Sequence, residues 1–216
     1  MTSAKPLRAD AERNRRKLLD AAAELFARKG LGVGLDEIAR CAGVGVGTAY
    51  RRFPDKEQLI TALFDDRLEQ IASLAERCAA REDAYAGLVE FIEGNVELQS
   101  TDQGLKELIL GSPHAIDRVR VARARIEPAV ESLVARAQAA GQIRADVAHT
   151  DLALVQFMLT AISDIARDAD PEAWRRALQL VLDGLRTPEP GPMPGAPIAR
   201  ESLDRLIRGL PRGTRH

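Results

Sequence analysis

The spacing of apolar residues predicts helices along the whole chain and no strand of any length. In the first helix, residues 10–29, one apolar stripe is formed by Leu18, Ala22, Leu25 and Phe26. Asp10 is the expected N-cap of this helix, and Gly30 follows its last residue, where glycine commonly ends a helix. Residues 1–9 are expected to form a loose basic arm in front of it.

Two short helices are predicted after a glycine-rich connector, at about 35–42 and 46–52. Gly43 lies between them, where a left-handed turn carries no penalty for a residue without a side chain. Gly47 lies inside the second helix, where glycine costs about 1 kcal/mol relative to alanine. Two explanations of Gly47 stay open: its backbone lies close to a partner such as DNA, or the missing side chain relieves crowding inside the protein.

Phe53-Pro54 ends the second short helix, and Asp55 with Gln58 forms a capping box that begins the next. Pro128 should kink or split the long helix in which it lies. A proline-rich linker, 187–197, precedes a tail, 198–216, that either docks as a further helix or stays mobile. The helices predicted between Pro54 and the linker, fourth to ninth in order, span about 55–80, 84–98, 104–110, 112–140, 151–167 and 171–186.

The eighth and ninth predicted helices are apolar on more than one face, and such helices need two partners. One partner is the body of the chain, and the other is a second copy, which would make a four-helix dimer interface. The alternative is complete burial of both helices in one large core. The residues predicted to form the dimer interface are Leu154, Met158, Ile162, Leu178, Leu182 and Leu185.

Charge is distributed unevenly along the chain. Residues 1–56 carry 12 Lys+Arg and 7 Asp+Glu, whereas the remainder carries 19 and 25. This asymmetry is expected when only the N-terminal part meets phosphate, although chance clustering of solvated charge is the plainer explanation. The two cysteines form no disulfide framework or metal-binding spacing. Without a secretory signal or an apolar run long enough to span a membrane, we expect a soluble, cytoplasmic protein.

The helix at 46–52 carries the residue types that a helix needs for entering the major groove of DNA. Val46 offers apolar contact to a thymine methyl, and Thr48 a hydroxyl to a base edge or phosphate. Tyr50 can reach a phosphate through its hydroxyl. The two arginines can pair with phosphate or guanine, and a lysine follows at the start of the next helix. The predicted DNA-binding residues are Val46, Gly47, Thr48, Tyr50, Arg51, Arg52 and Lys56.

Residues 13–60, above all AELFARKG and LDEIARCAGVGVGTAYRRFPDKEQLI, resemble the DNA-binding domain of the TetR family of transcriptional regulators. The chain differs from many members in having Gly34 and Gly45, instead of Ser or Thr, at the caps of the two short helices. The positions that carry the resemblance are Ile38, Ala39, Ala42, Gly43, Val44, Thr48, Tyr50, Phe53, Pro54 and Lys56.

The resemblance implies an all-α homodimer with a helix-turn-helix DNA-binding domain at 10–54 and an effector-binding and dimerisation domain at 55–186. Helices four to seven would surround a ligand cavity, and helices eight and nine would form the dimer. Family members are usually repressors that a small molecule releases from a palindromic operator. By position, the resemblance favours Thr48, Tyr50, Arg52 and Lys56 as DNA contacts.

The residues expected to line the effector cavity lie on plausible inward faces, where ordinary core packing is the alternative for each. Asn95 and Arg125 would be the polar groups that orient a largely apolar ligand. The predicted ligand-binding residues are Phe64, Leu68, Phe91, Asn95, Ile109, Val121, Arg125 and Phe157.

Two other functions were weighed against ligand-controlled DNA binding. An enzyme is disfavoured because His114, His149 and His216 are scattered, and no GxSxG motif occurs. The glycines at 43, 45 and 47 follow a helix rather than a strand, unlike a dinucleotide-binding loop. No catalytic residue, metal or cofactor is therefore expected. The third hypothesis is a regulatory or structural DNA-binding protein without an effector.

Overall fold

The computed structural model describes residues 4–100, 113–186, 191 and 193–209, and all regular structure within that part is helical, as predicted. A 3-10 turn at Gly30–Gly32 joins the first two helices. The predicted helix at 104–110, the candidate Ile109 and most of the linker's first half lie outside the described residues. The α-helices are α1 Ala4–Lys29, α2 Leu35–Cys41, α3 Val46–Arg52, α4 Lys56–Ala79, α5 Ala84–Ser100, α6 Pro113–Ala139, α7 His149–Ala166, α8 Ala173–Leu185 and α9 Arg200–Gly209.

Helix α1 begins at Ala4, so the prediction of a loose arm at 1–9 was wrong for residues 4–9, and Asp10 is not an N-cap. Alanine, leucine and arginine in this stretch favour a helix. Pro6 does not prevent it, because the first N–H groups of a helix have no partner within the helix. Asp10 instead pairs with Arg13 on the same helix.

The chain divides into two compact units, and the first takes in residues 4–67 of the described part. Its core is formed by α1, α2 and α3 together with the first half of α4. The sequence placed the end of the DNA-binding domain at residue 54, before α4, whereas this unit continues to Arg67. Its most deeply buried apolar residues are Leu18, Leu19, Ala22, Phe26, Leu35, Ile38, Ala39, Ala49, Phe53, Leu59 and Leu63.

The second unit contains the rest of α4 and helices α5 to α9. Helix α5 packs on α6 and α7, and α7 packs in addition on α8. Gly87 of α5 allows a close approach, because a Cβ there would lie 2.6 Å from the carbonyl oxygen of Cys78 and 2.9 Å from Cδ2 of Leu133. The large side chains that are fully buried here are Leu88, Ile92, Val96, Leu133, Leu159 and Leu178.

Pro128 lies within α6, which continues unbroken from Pro113 to Ala139, so of the predicted kink or split the split was wrong and the kink stays a prediction. Proline removes one hydrogen bond to the carbonyl four residues earlier, here that of Ala124. Both Pro128 and Ala124 are exposed, so water can satisfy that carbonyl without interrupting the helix.

The tail forms α9 and is attached to the second unit, which decides between the two alternatives left open for it. Leu203 is 2% exposed, and Arg200 Nη2 lies 2.6 Å from Oε2 of Glu127 on α6. Upstream, Arg144 donates to the carbonyl of Gly191 at 2.6 Å, which ties the linker to the same unit.

Candidate nucleic-acid interface

The turn between α2 and α3 has the geometry that its glycine predicts. Gly43 has φ +63°, and the next residue, Val44, is buried and donates its backbone N–H to the carbonyl of Ala39 at 3.0 Å. Gly45 is the N-cap of α3, and its carbonyl accepts from the N–H groups of Thr48 and Ala49 at 2.8 and 3.0 Å. The two short helices are therefore held at a fixed angle by one left-handed residue and one buried side chain.

Helix α3 has one buried and one exposed face. Ala49 is fully buried, and Phe53 just after the helix is nearly so. The predicted DNA-binding residues on α3 lie on the other face: Thr48 is half-buried, and the exposed ones are Val46, Gly47, Tyr50, Arg51 and Arg52. The face is as predicted, and the DNA contacts themselves stay a prediction.

Two polar side chains of this face have neighbours within the unit. The Asp36 carboxylate on α2 lies beside the Tyr50 hydroxyl and raises the pKa of Tyr50. Arg51 donates from Nη2 to the hydroxyl oxygen of Thr48 at 3.0 Å. A guanidinium has five N–H donors, so Arg51 keeps donors for phosphate or guanine.

Lys56 begins α4 and faces the connector rather than open solvent. Its ammonium donates to the carbonyl of Leu31 and lies 5.8 Å from the ring centre of Phe26. An ammonium group has three donors, so a phosphate contact by Lys56 would add to this bond. Asp55 caps α4 as predicted, since its carboxylate accepts from the Gln58 backbone N–H at 2.8 Å and the Gln58 side-chain amide at 2.9 Å.

Gly47 does not relieve crowding inside this unit. A Cβ built at Gly47 would meet no atom of the protein within 4 Å. The explanation by internal packing is therefore excluded for the described residues, and the approach of an outside partner such as DNA stays a prediction.

An open cleft of about 600 Å³ lies beside the end of α3 in the same unit. Arg52 and Arg15 supply its basic side chains, while three carboxylates line it as well. None of the predicted ligand-binding residues lines this cleft. Its lining is Arg15, Arg52, Phe53, Asp55, Glu57, Gln58, Thr61, Ala62 and Asp65.

The predicted ligand-binding residues are found in several different settings. Phe64 is buried in the first unit, while Phe91 and Asn95 are buried in the second. Leu68 and Phe157 are half-buried. Asn95 accepts a hydrogen bond at its Oδ1 from Gln99 at 2.9 Å.

Two of the ligand predictions were wrong about direction. Val121 is 67% exposed on the solvent side of α6, whereas the next residue, Ala122, is buried. Arg125 does not point into an interior site. It bridges to α4, with Nε 2.7 Å from Oε1 of Glu76 and Nη1 2.6 Å from Oε2 of Glu69. This clamp lowers the pKa of both carboxyls.

The predicted dimer residues divide between two environments. Leu154, Met158 and Ile162 of α7 are half-buried or exposed in the single chain. Leu178, Leu182 and Leu185 of α8 were wrong as interface residues, because they are buried in the core of the chain itself. The exposed apolar residues are instead Ile165 on α7, which is 86% exposed, and Leu180 on α8.

Sequence reasoning missed three buried polar residues on α7. Gln156, Thr160 and Ser163 lie on the inner face of a helix whose outer face is apolar. The signal was present in the sequence, because polar residues recur there at the i, i+4 and i+7 spacing that places them on one face.

Two kinds of site are absent from the described part of the chain. No group of three or more His, Cys, Asp or Glu side chains there could hold a metal ion. In the same residues, no helix has both the length and the apolarity to cross a membrane.

An all-α chain with two short helices at a fixed angle and a basic, exposed second helix is a helix-turn-helix protein of the DNA-binding class. Two family profiles match it: that of the bacterial regulatory proteins of the tetR family over residues 18–63, and that of the SbtR-like transcriptional regulator C-terminal domain over residues 83–187. The chain belongs to the TetR family of transcriptional regulators.

Solved structures agree with this assignment. A TetR transcription regulatory protein from Mycobacterium vanbaalenii is 36% identical, with a TM-score of 0.67, over 84% of this chain and 100% of that one. A TetR transcriptional regulator from Streptomyces coelicolor is 30% identical, with a TM-score of 0.62, over 81% of this chain and 99% of the other.

Proposed function

We propose that this regulator is a repressor that binds a palindromic operator as a homodimer and leaves it when a small molecule binds its second unit. The observation that carries the DNA-binding part is the exposed face of α3. This face combines Gly47, where a side chain would meet no atom of the protein, with two exposed arginines, Arg51 and Arg52. The two α3 helices of a dimer would enter successive major grooves about 34–36 Å apart.

DNA binding is tested with fragments from the chain's own genome, beginning with the DNA upstream of its gene, by fluorescence anisotropy at several salt concentrations. Arg52→Ala is expected to weaken binding and to lower the slope of log K against log salt by about one, since one phosphate contact is lost. Arg205→Ala removes an exposed arginine from α9 and is the matched control. Equal effects of the two substitutions, or no binding to any fragment, would refute this use of α3.

The dimer is proposed to form through the outer face of α7 with the adjoining outer face of α8. Met158 and Ile165 of α7 and Leu180 of α8 are exposed, and the half-buried Leu154 and Ile162 lie at helical spacing with the first two. Exposed apolar side chains in a continuous stripe favour burial against a second copy. TetR regulators dimerise, which supports this choice of partner.

Ile165→Glu tests this interface, because a carboxylate at the centre of an apolar contact would stay buried without a partner. Sedimentation velocity should show a monomer at concentrations where the unaltered chain is a dimer. Val121→Glu places the same charge on an exposed apolar residue of α6 and should leave the dimer intact. If the Ile165→Glu variant still dimerises, the dimer forms through another surface.

Effector control is proposed to act through α4. This single helix, Lys56–Ala79, contributes its first half to the DNA-binding unit and its second half to the other unit. A ligand that favours another position of α4 would change the spacing of the two α3 helices. The test is operator binding in the presence of the small-molecule fraction of a cell extract. An affinity that no fraction changes would favour the alternative, a regulator without an effector.

A further inference from the structure

The buried face of helix α7 carries an unusually large share of polar residues. Four of the five buried polar residues in the described chain lie on α7, namely Thr150, Gln156, Thr160 and Ser163. Met158 and Ile165 lie on its exposed side. A helix on a protein surface normally buries its apolar stripe and exposes its polar one. The outer face is accounted for by the proposed dimer, whereas the polar inner face is not.

Two of these inner residues lack hydrogen-bond partners. Gln156 is 9% exposed, and neither its Nε2 nor its Oε1 has a partner. Thr160 is 8% exposed, and its Oγ1 has none either. At i and i+4 on one helix, their Cβ atoms are about 5–6 Å apart. Buried polar groups in native proteins are nearly always paired, so three unpaired atoms side by side point to a missing partner.

The surroundings define the chemistry of that partner. Leu152 and Leu159 are buried beside Gln156 and Thr160 on the same face of α7, and the buried polar residue that α5 contributes to the second unit, Asn95, is uncharged as well. No charged residue is fully buried in the described chain. A side-chain amide offers a donor and an acceptor together, and a hydroxyl can serve as either. The partner that fits is an uncharged group with its own donor and acceptor, carried on an apolar body.

We propose that Gln156 and Thr160 on the inner face of α7 recognise a small molecule that bears a neutral amide or lactam group. This inference rests on the proposed function, because it names the class of effector for the second unit. Gln156 pairs with the amide N–H and carbonyl of the ligand, Thr160 adds one hydrogen bond, and the leucines contact the apolar remainder. A carboxylate would bring an uncompensated charge into this site and is rejected.

Three probes of similar size separate the possibilities: acetanilide carries a neutral amide, phenylacetate a carboxylate, and ethylbenzene no polar group. Binding to the full chain is measured by isothermal titration and saturation-transfer NMR, without DNA. Acetanilide should bind more tightly than the other two. Gln156→Met should weaken the binding of acetanilide by about tenfold, and Thr160→Val should weaken it by a smaller factor. Neither substitution should change the binding of ethylbenzene. Gln179→Met, at an exposed glutamine of α8, is the matched control and should change nothing.

Folding of the variants gives a second readout. Because the amide atoms of Gln156 have no partner in the free protein, Gln156→Met should melt at or above the temperature of the unaltered chain. A lower melting temperature with unchanged probe binding would show that Gln156 is a structural residue and would overturn the inference. Failure of acetanilide to bind, or equal binding of all three probes, would overturn it as well.

The DNA experiment keeps this inference separate from the function on which it rests. Gln156→Met without ligand should bind operator DNA as the unaltered chain does. If acetanilide binds through Gln156 but leaves DNA affinity unchanged, effector control fails and the amide site stands. If operator DNA is released by cell extract but no probe distinguishes Gln156→Met, effector control stands and the amide site fails.

Discussion

The carboxylate of Asp36 on α2 lies beside the hydroxyl of Tyr50 on α3 and raises the pKa of that hydroxyl. A phenol has a single proton to donate, and a phosphate oxygen only accepts. A hydroxyl that donates to Asp36 is not free to donate to DNA, so we expect Tyr50 to help hold the two short helices together. The phosphate contact of Tyr50 stays a prediction, and the positioning function is its alternative.

A double-mutant cycle distinguishes these two functions of Tyr50. Tyr50→Phe should weaken operator binding by about three- to tenfold in the unaltered chain, because the bond that orients α3 is lost. In an Asp36→Ala background the same substitution should cost almost nothing. The measurement is operator affinity by fluorescence anisotropy. An equal loss of operator affinity in both backgrounds would show instead that the Tyr50 hydroxyl contacts a DNA phosphate.

Gly47→Ala should have opposite effects on folding and on DNA binding. Alanine is the better helix former by up to about 1 kcal/mol, and its methyl group meets no atom of the protein. The same methyl group would stand between α3 and the DNA, so operator affinity should fall by about tenfold. Chemical denaturation and anisotropy measure the two effects, and Cys41→Ala, at an exposed neutral position on α2, is the control.

In the second unit, Gly87→Ala should destabilise the fold, in contrast to Gly47→Ala in the first. There the added methyl group would collide with the carbonyl oxygen of Cys78 at 2.6 Å, and backbone atoms cannot move aside as a flexible side chain can. Overpacking of this kind should lower the free energy of unfolding by about 1–3 kcal/mol. A stability equal to that of the unaltered chain would mean that α4 and α5 separate more easily than their close approach implies.

The ion pairs of Arg125 with Glu69 and Glu76 should make the stability of the protein depend on pH. Glu69 and Glu76 have pKa values lowered from 4.5 by Arg125, so their contribution is fully present above about pH 4.5 and is lost on acidification. Arg125→Met should lower the melting temperature at pH 7 by no more than a few degrees, since the pairs are partly exposed. Once acidification has protonated both carboxyls in the folded protein, the two proteins should melt alike. A difference that persists there would assign the effect to packing of the arginine stem.

The tail is expected to contribute to the stability of the second unit. Leu203→Ala should cost about 2–3 kcal/mol, because Leu203 is almost completely buried and leaves a cavity. Urea denaturation measures this loss, and protease cleavage within α9 should become faster. Ser202→Ala, at the neighbouring half-buried position, should be close to neutral. If the leucine variant proves equally neutral, α9 is only loosely attached.

The DNA-binding unit could be predicted almost completely because its signals are local. Gly43 requires the left-handed conformation, Pro54 ends α3, and Asp55 with Gln58 starts α4 within a few residues. Such turn and cap chemistry acts through neighbouring atoms, so it can be interpreted without knowing the rest of the fold. The start of α1 was the exception, because the helical preference of residues 4–9 outweighed the expected cap at Asp10.

In the second unit, periodicity established which residues share a face but not where that face points. On α8, Leu178, Leu182 and Leu185 follow one stripe and Leu180 another, and only packing decides which is inside. Arg125 finds its carboxylates 49 and 56 residues away, a distance over which sequence spacing carries no information.

The sequence by itself therefore determined the all-α class, the positions of most helices, the helix-turn-helix and its exposed basic face. These follow from backbone conformation and from contacts within a few residues. The tertiary structure decided which sides of α7 and α8 are buried, the partner of Arg125, the attachment of α9 and the isolation of the Gln156 amide. Each of these depends on which distant surfaces meet, and that is settled by the joint packing of all helices rather than by any one of them.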